Sequence, residues 1–223
     1  MNHQKLRAAL FDMDGTLLDS MAMWAAAPQA VLGRYGVTPD ESVMREMIPL
    51  TIPQCAEIMV ARYGLPVTPA QLTAQVLEHI RDQYDRLLPL KPGAKAVVER
   101  LNAMGVPTAL ASASCLREIH AAMDRLGMTP KFAAMLSSEV YGSKHEPRIY
   151  LEGAALLGAD PAHTAVFEDA LPSLRTAHEA GFFTVMVEDE ASRPDWEEMA
   201  ALADLRIARW EDFDPADWFD RPE

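Results

Sequence analysis

The chain is poor in cysteine, poor in positive charge and without a long apolar run. Its 223 residues include two cysteines, too few for a disulfide framework. Cys55 and Cys115 both stand among apolar neighbours and read as small core residues. That usage suits a reducing compartment, and a cytoplasmic location is expected. No apolar run reaches the ~18 residues that a membrane helix needs. The first residues pass quickly into a strand-like segment with no signal-peptide core, so no leader is expected. Lysine and arginine total 20 against 33 acidic residues, a formal net charge of −13. This balance argues against a nucleic-acid partner, because phosphate backbones are held by clustered Lys and Arg. Much of the deficit is local. From Glu188 to Glu223 there are 13 acidic and 4 basic residues, which leaves a net of −4 for the other 187 positions. Such a stretch reads as a solvated face. An anionic ligand would therefore need a local device to attract it.

What is present fits an ordinary globular protein, with 49% hydrophobic and 24% charged residues. The length allows one large domain, or a core with a smaller insert. Residues 6 to 11 form a short, mostly apolar run, the signature of a buried strand. It stops at Asp12-Met13-Asp14-Gly15-Thr16. A buried, unpaired carboxylate is too costly to continue such a strand. Two carboxylates followed by Gly instead predict a strand emerging into a turn, at the sheet edge where open α/β folds bind ligands.

Leu17 to Tyr35 then reads as a helix. Thr38-Pro39-Asp40-Glu41 and Thr68-Pro69-Ala70-Gln71 each predict a helix start, with Thr at the cap and Pro in the first turn. Thr51-Ile52-Pro53-Gln54 is a looser version. Everything from Leu18 to Leu88 is expected to be helical. The breaker Leu90-Lys91-Pro92-Gly93 ends this block. Helices are expected at 94–104, 116–126, 147–157 and 196–203, with another between Asp169 and Gly181. They alternate with strands at 106–111, 134–136, 164–167, 183–187 and 205–207, and 137–146 is expected to be a loop. Strands alternating with helices of about ten residues indicate a parallel sheet with right-handed crossovers. The expected fold is α/β, a Rossmann-like core of residues 1–18 and 89–223 with an all-helical cap, 19–88, inserted after the first strand.

Polar residues thus stand at the C-terminal ends of three predicted strands: Asp12 with Asp14, Ser112, and Glu168 with Asp169. Lys144 lies in the loop after a fourth. In this order the set resembles the haloacid dehalogenase superfamily. Asp12-Met13-Asp14-Gly15-Thr16 is similar to its first motif, Ser112 to its second, Lys144 to its third and Glu168-Asp169 to its fourth. The position of the helical cap resembles the subgroup that contains β-phosphoglucomutase and small sugar-phosphate phosphatases. The resemblance implies a Mg²⁺-dependent phosphatase acting on a small phosphorylated metabolite, of the sugar-phosphate kind, through an aspartyl-phosphate. It implies Asp12 as nucleophile and Asp14 as acid and base. Ser112 and Lys144 would bind the phosphoryl group with Ala113 and Gly15 beside them, and Asp12, Asp14, Asp169 and Glu168 would hold the metal.

Departures from the family pattern narrow the reading. Dehalogenating members lack an acid at the position of Asp14. In the mutase pattern a His lies twelve residues after the nucleophile, where this chain has Trp24. The basic residues expected for a second phosphate are missing around Leu50 to Gln54. Hydrolysis is therefore expected, with a mutase or a non-catalytic binding protein as alternatives. Trp24 could stack on a sugar or pack in the cap, and His145 could touch substrate or be a solvated loop residue. The loop reads Lys144-His145-Glu146-Pro147-Arg148 where the family commonly places Pro directly after Lys, and Ala170 replaces a frequent Ser. Oligomeric state is left open.

Overall fold

The computed structural model describes residues 5–47 and 50–220. The chain divides into two compact units, one comprising residues up to Met21 together with those from Leu88 onward, the other Ala22–Leu87.

The first unit is a six-stranded sheet, parallel throughout, in the order β3-β2-β1-β4-β5-β6. The strands are β1 (Ala8–Phe11), β2 (Thr108–Ser112), β3 (Ala134–Ser137), β4 (Thr164–Glu168), β5 (Phe183–Val187) and β6 (Leu205–Ile207). All residues of β1, β2 and β4 are buried. Their near-continuous apolar character follows from helices covering both faces of a parallel sheet. The charged DxD turn begins where β1 stops, and β1 lies between β2 and β4. Register fixes the levels: Phe11 pairs with Leu110 on one side and Phe167 on the other. Asp12, Ser112 and Glu168 therefore leave the sheet along one edge.

Helices α5 (Ala94–Ala103), α6 (Leu116–Arg125), α7 (Ser138–Tyr141), α8 (Arg148–Leu156), α9 (Leu171–Glu179) and α10 (Trp196–Leu202) connect the strands. Helix α8 lies close on β1. A Cβ at Gly153 would come within 2.8 Å of Leu10 Cδ2, so only glycine fits there without displacing the strand. The two chain segments that leave and re-enter this unit are joined by an antiparallel bridge, with Asp19 N–H donating to Pro89 O at 3.0 Å and Lys91 N–H to Leu17 O at 2.8 Å.

The second unit is helical: α1 (Met21–Gly33, its first residue in the other unit), α2 (Glu41–Met47), α3 (Ile52–Tyr63) and α4 (Pro69–Arg86). Helix α4 buries Leu72, Val76, Ile80 and Tyr84 as one stripe at four-residue spacing. Capping boxes at Thr51/Gln54 and Thr68/Gln71 start α3 and α4.

Four expectations are corrected. Helix α1 starts at Met21 rather than Leu17, because Leu17 and Leu18 N–H both turn back to Met13 O. Helix α2 starts at Glu41 rather than after Thr38, with Asp40 O accepting from Val43 and Met44 N–H. The segment expected as a loop at 137–146 contains the one-turn helix α7, capped by Ser137 Oγ accepting from Glu139 N–H. The acidic C-terminal stretch is more than a solvated face, since Trp210, Phe213 and Phe219 are buried. Phe11 stacks on Phe167 at 4.5 Å, and Trp210 packs against Phe167 at 5.4 Å between ring centroids. The acidic residues between these aromatics face outward; the aromatics themselves complete the core.

Candidate active site

At the C-terminal edge of the sheet, Asp12 is 6% exposed, and its Oδ1 accepts from Lys144 Nζ at 2.6 Å. Lys144 also pairs with Glu168 Oε1, which accepts from Tyr150 Oη at 2.7 Å. Lys144 reaches inward because the loop carrying it runs into α8, whose Ile149 and Tyr150 are buried against the sheet. The same packing delivers the Tyr150 hydroxyl to Glu168. Burial alone would pull the Lys144 ammonium down, but Asp12 and Glu168 outweigh it and hold it well above the ordinary value. Lys144 is a fixed positive charge.

Asp169 follows Glu168 past the end of β4. Its Oδ1 accepts from Thr16 Oγ1 at 3.2 Å. One oxygen from each of Asp12, Glu168 and Asp169 lies within 4.8 Å of the others, and all three residues are buried. Burial, reinforced by Asp12 and Glu168, raises the Asp169 carboxyl well above its usual range. Burial likewise pushes Glu168 up to about 7 despite Lys144 beside it. Three carboxylates crowd the Lys144 ammonium, and Lys91, the other cation acting on Asp169, does not offset their mutual repulsion. Asp12 Oδ2 is buried without a hydrogen-bond partner. An all-oxygen set of this kind fits a small hard cation such as Mg²⁺.

Gly15, expected beside the phosphoryl group, also shapes the turn after Asp14. Its N–H donates to Leu18 O at 3.0 Å. Its φ is +81°, and a Cβ there would lie 2.2 Å from Asp169 Oδ2. Only glycine allows the turn after Asp14 to pass so close to Asp169.

The loop after β2 carries Ser112, Ala113 and Ser114. Ser112 is fully buried, and its Oγ accepts from Ser114 N–H at 3.0 Å. Ser114 Oγ donates to Asp14 Oδ2 at 2.7 Å. From the neighbouring strand end, Ser137 Oγ donates to Ser114 O at 2.7 Å. At the start of α6, two backbone N–H groups are taken by carboxylates of the chain itself. Cys115 N–H faces Glu118 Oε2 at 3.4 Å, and Leu116 N–H donates to Glu139 Oε2 at 3.1 Å.

Trp24 belongs to the helical unit, where its Nε1 donates to Tyr84 Oη at 3.1 Å. It lines an apolar cavity of about 380 Å³ with Met44, Met47, Ile52, Cys55 and Ile80, and no charged side chain lines it among the described residues. His145 is exposed, and its N–H donates to Ser143 Oγ at 3.2 Å. Thr16, Ser114, Ser137 and Tyr150 are site residues that sequence reasoning missed. The aromatic at 150, on the apolar face of a helix six residues beyond Lys144, was the one visible signal.

Known proteins share this framework. The chain is 27% identical over 208 residues to hexitol phosphatase B of Escherichia coli, covering 92% of this chain and 93% of that protein. It is 28% identical over 208 residues to the bifunctional riboflavin kinase/FMN phosphatase of Arabidopsis thaliana, covering 90% of this chain but spanning only 55% of that protein. A solved structure from Thermotoga maritima, provisionally named a β-phosphoglucomutase, superposes with a TM-score of 0.79 at 24% identity, over 92% of this chain and 96% of that one. That likeness concerns the fold. The family model for haloacid dehalogenase-like hydrolases matches residues 6–181, which span every side chain placed at this sheet edge, and the chain belongs to that family.

Proposed function

We propose that the protein is a Mg²⁺-dependent phosphatase that hydrolyses a small phosphorylated metabolite, of the sugar-phosphate class, through an aspartyl-phosphate on Asp12. The observation that carries this reading is Asp12 itself. It is a buried carboxylate held by Lys144 on one oxygen, unpartnered on the other, and grouped with Glu168 and Asp169. Asp12, Asp169 and the backbone carbonyl of Asp14 would hold the cation, with Glu168 as a further ligand or as the anchor of Lys144. When bound, Mg²⁺ supplies the positive charge that lets a carboxylate approach a phosphoryl group.

The residues divide the remaining work. An oxygen of Asp12 attacks phosphorus while the ester P–O bond breaks. Asp14 gives its proton to the leaving oxygen, then takes one from the water that attacks phosphorus and releases Asp12. Lys144 and the Ser112 hydroxyl bind phosphoryl oxygens, and Ala113, next to Ser112 in the loop after β2, adds its N–H. Hydrolysis is favoured over mutase chemistry because two features count against a seat for a second phosphate. Glu118 and Glu139 occupy the start of α6, and the cavity of the helical unit has no charged lining among the described residues. The hexitol phosphatase relative supports a phosphorylated polyol or sugar as substrate.

The test is inorganic phosphate release from a panel of phosphorylated metabolites, with Mg²⁺, with chelator, and with Asp12→Asn. Turnover that requires both the metal and Asp12 is expected. Isomerised product without phosphate release would establish a mutase instead, and neither outcome on any substrate would count against an enzyme.

A further inference from the structure

We propose that Ser114 is a positioning residue for the acid–base Asp14, and that the ends of β2 and β3 form a clamp that holds it there. The inference rests on the phosphatase reading above, and it concerns a residue two positions beyond the one expected to bind phosphate.

The contacts run in one direction. Ser137, fully buried at the end of β3, donates to Ser114 O at 2.7 Å. Ser112, fully buried at the end of β2, accepts from Ser114 N–H at 3.0 Å. Glu139, two residues beyond Ser137, accepts from Leu116 N–H at 3.1 Å. Both backbone polar groups of Ser114 are thus engaged, and the chain two residues later is tied to the same neighbouring segment. Ser114 is 8% exposed. Its remaining polar atom, the hydroxyl, donates to Asp14 Oδ2 at 2.7 Å. A hydroxyl on so restrained a backbone acts as a fixed peg, whereas one on a mobile loop would follow the carboxylate wherever it turned.

Asp14 needs such a peg. It stands on a turn leading out of the sheet and is only partly buried, so a hydrogen bond to its carboxylate bears directly on how that group is turned. Anchoring Oδ2 fixes that rotation and presents the other oxygen in one orientation. In the first step the Asp14 proton moves to the leaving oxygen as the ester P–O bond breaks and the bond from Asp12 to phosphorus forms. In the second, water adds to phosphorus, its proton passes to Asp14, and the bond to Asp12 breaks. Both steps need the proton-bearing oxygen in line with the oxygen that receives or gives up the proton, and misplacement by about 1 Å costs up to 100-fold in rate.

The test uses two esters that differ in their need for an acid. An alkyl phosphate departs as an alkoxide and requires the proton, whereas p-nitrophenyl phosphate departs as a stabilised phenolate. Values of kcat/KM, which report the step through loss of the leaving group, would be measured for wild type, Ser114→Ala, Ser114→Thr and, as the reference for a lost acid, Asp14→Asn. Ser114→Ala should lower kcat/KM for the alkyl ester by about 10- to 100-fold, the worth of a hydrogen bond to a charged group. The p-nitrophenyl ester should lose less than about 3-fold, the mark of general-acid catalysis being impaired. Ser114→Thr, which keeps the hydroxyl, should restore most of the alkyl-ester rate. Equal losses on both esters would mean that the loop is merely disordered, and would overturn the proposal. So would an unchanged Ser114→Ala, or a Thr variant as poor as Ala. Absence of phosphate release by wild type from both esters and from the whole panel of phosphorylated metabolites would instead overturn the phosphatase reading, and this proposal with it.

Discussion

Replacing Lys144 with Met removes the ammonium that pairs with Asp12 and Glu168 while keeping most of the side chain's volume. The ammonium lies 2.6 Å from Asp12 Oδ1 and also pairs with Glu168, with Lys144 and Asp12 each 7% exposed in their side chains. Removing one partner of a buried pair strands the other, at a cost of about 3–5 kcal/mol. The cluster has one escape, which is to take up a proton. Glu168, already pushed up to about 7, is the group that takes it. At pH 6 the escape is nearly free. At pH 8.5 it costs about 2 kcal/mol, from 1.36 kcal/mol for each pH unit. In chelator, the variant should therefore lose about 3 kcal/mol at pH 8.5 and about 1 kcal/mol at pH 6, read as midpoint shifts in urea unfolding. Mg²⁺ at 100 times its dissociation constant should stabilise wild type by about 2.7 kcal/mol. The variant should gain more from the same addition, because a cation then meets an uncompensated triad. A loss below about 1 kcal/mol at pH 8.5, or a Mg²⁺ increment no larger than that of wild type, would refute the electrostatic account of the site.

Three further outcomes follow from other contacts. Gly15→Ala combines a φ of +81° with a Cβ 2.2 Å from Asp169 Oδ2. It should abolish phosphate release and the stabilisation by Mg²⁺, and calorimetry showing unchanged metal binding would contradict the role given to that turn. The folded-state rise of Glu168 to about 7, above its ordinary 4.5, means the folded protein holds this proton more tightly than the unfolded chain. The group's contribution to stability is therefore full below about pH 4.5 and is lost as pH climbs through about 7. Metal-free Glu168→Gln should show a flatter stability profile than wild type between those limits, and parallel profiles would be inconsistent with the shift. Trp210→Ala should cost about 3–5 kcal/mol by emptying the space against Phe11 and Phe167. Trp210→Phe should cost less, chiefly the hydrogen bond from Nε1 to Thr16 O at 3.1 Å, and a neutral alanine variant in denaturant titration would return the acidic segment to a surface role.

The legible parts of this fold are those where one local signal decides. Phe183–Val187 was readable to the residue because a mostly apolar run stands between Gly181 and the acidic residues from Glu188. The aspartates at 12 and 14 announced a strand end because no buried strand continues through them. Thr68 marked a helix start because its cap chemistry is closed within four residues. Thr38 offered the same letters, yet the chain there is irregular and the helix starts at Glu41, with Asp40 O accepting its first N–H groups. Sheet order was beyond reach, since the central place of β1 depends on pairings more than 90 residues apart. For the same reason Thr16, Ser114, Ser137 and Tyr150 were invisible as site residues. Hydroxyls are common everywhere, and only register aims these four at Asp169, Asp14, Ser114 and Glu168. The carboxylates at the start of α6 were hidden likewise, because Glu139 reaches Leu116 from another strand's end.

The bond between the Trp210 indole and the Thr16 carbonyl also gives the protein a built-in optical gauge. Thr16 hydrogen-bonds Asp169 from its side chain, so the indole is two bonded contacts away from the carboxylates that would grip a cation. In a background with Trp24, Trp196 and Trp218 replaced by Phe, the emission of the one remaining indole would track movement of that turn. Ligand titrations could then be followed in the unlabelled protein without turnover and without a chromogenic substrate.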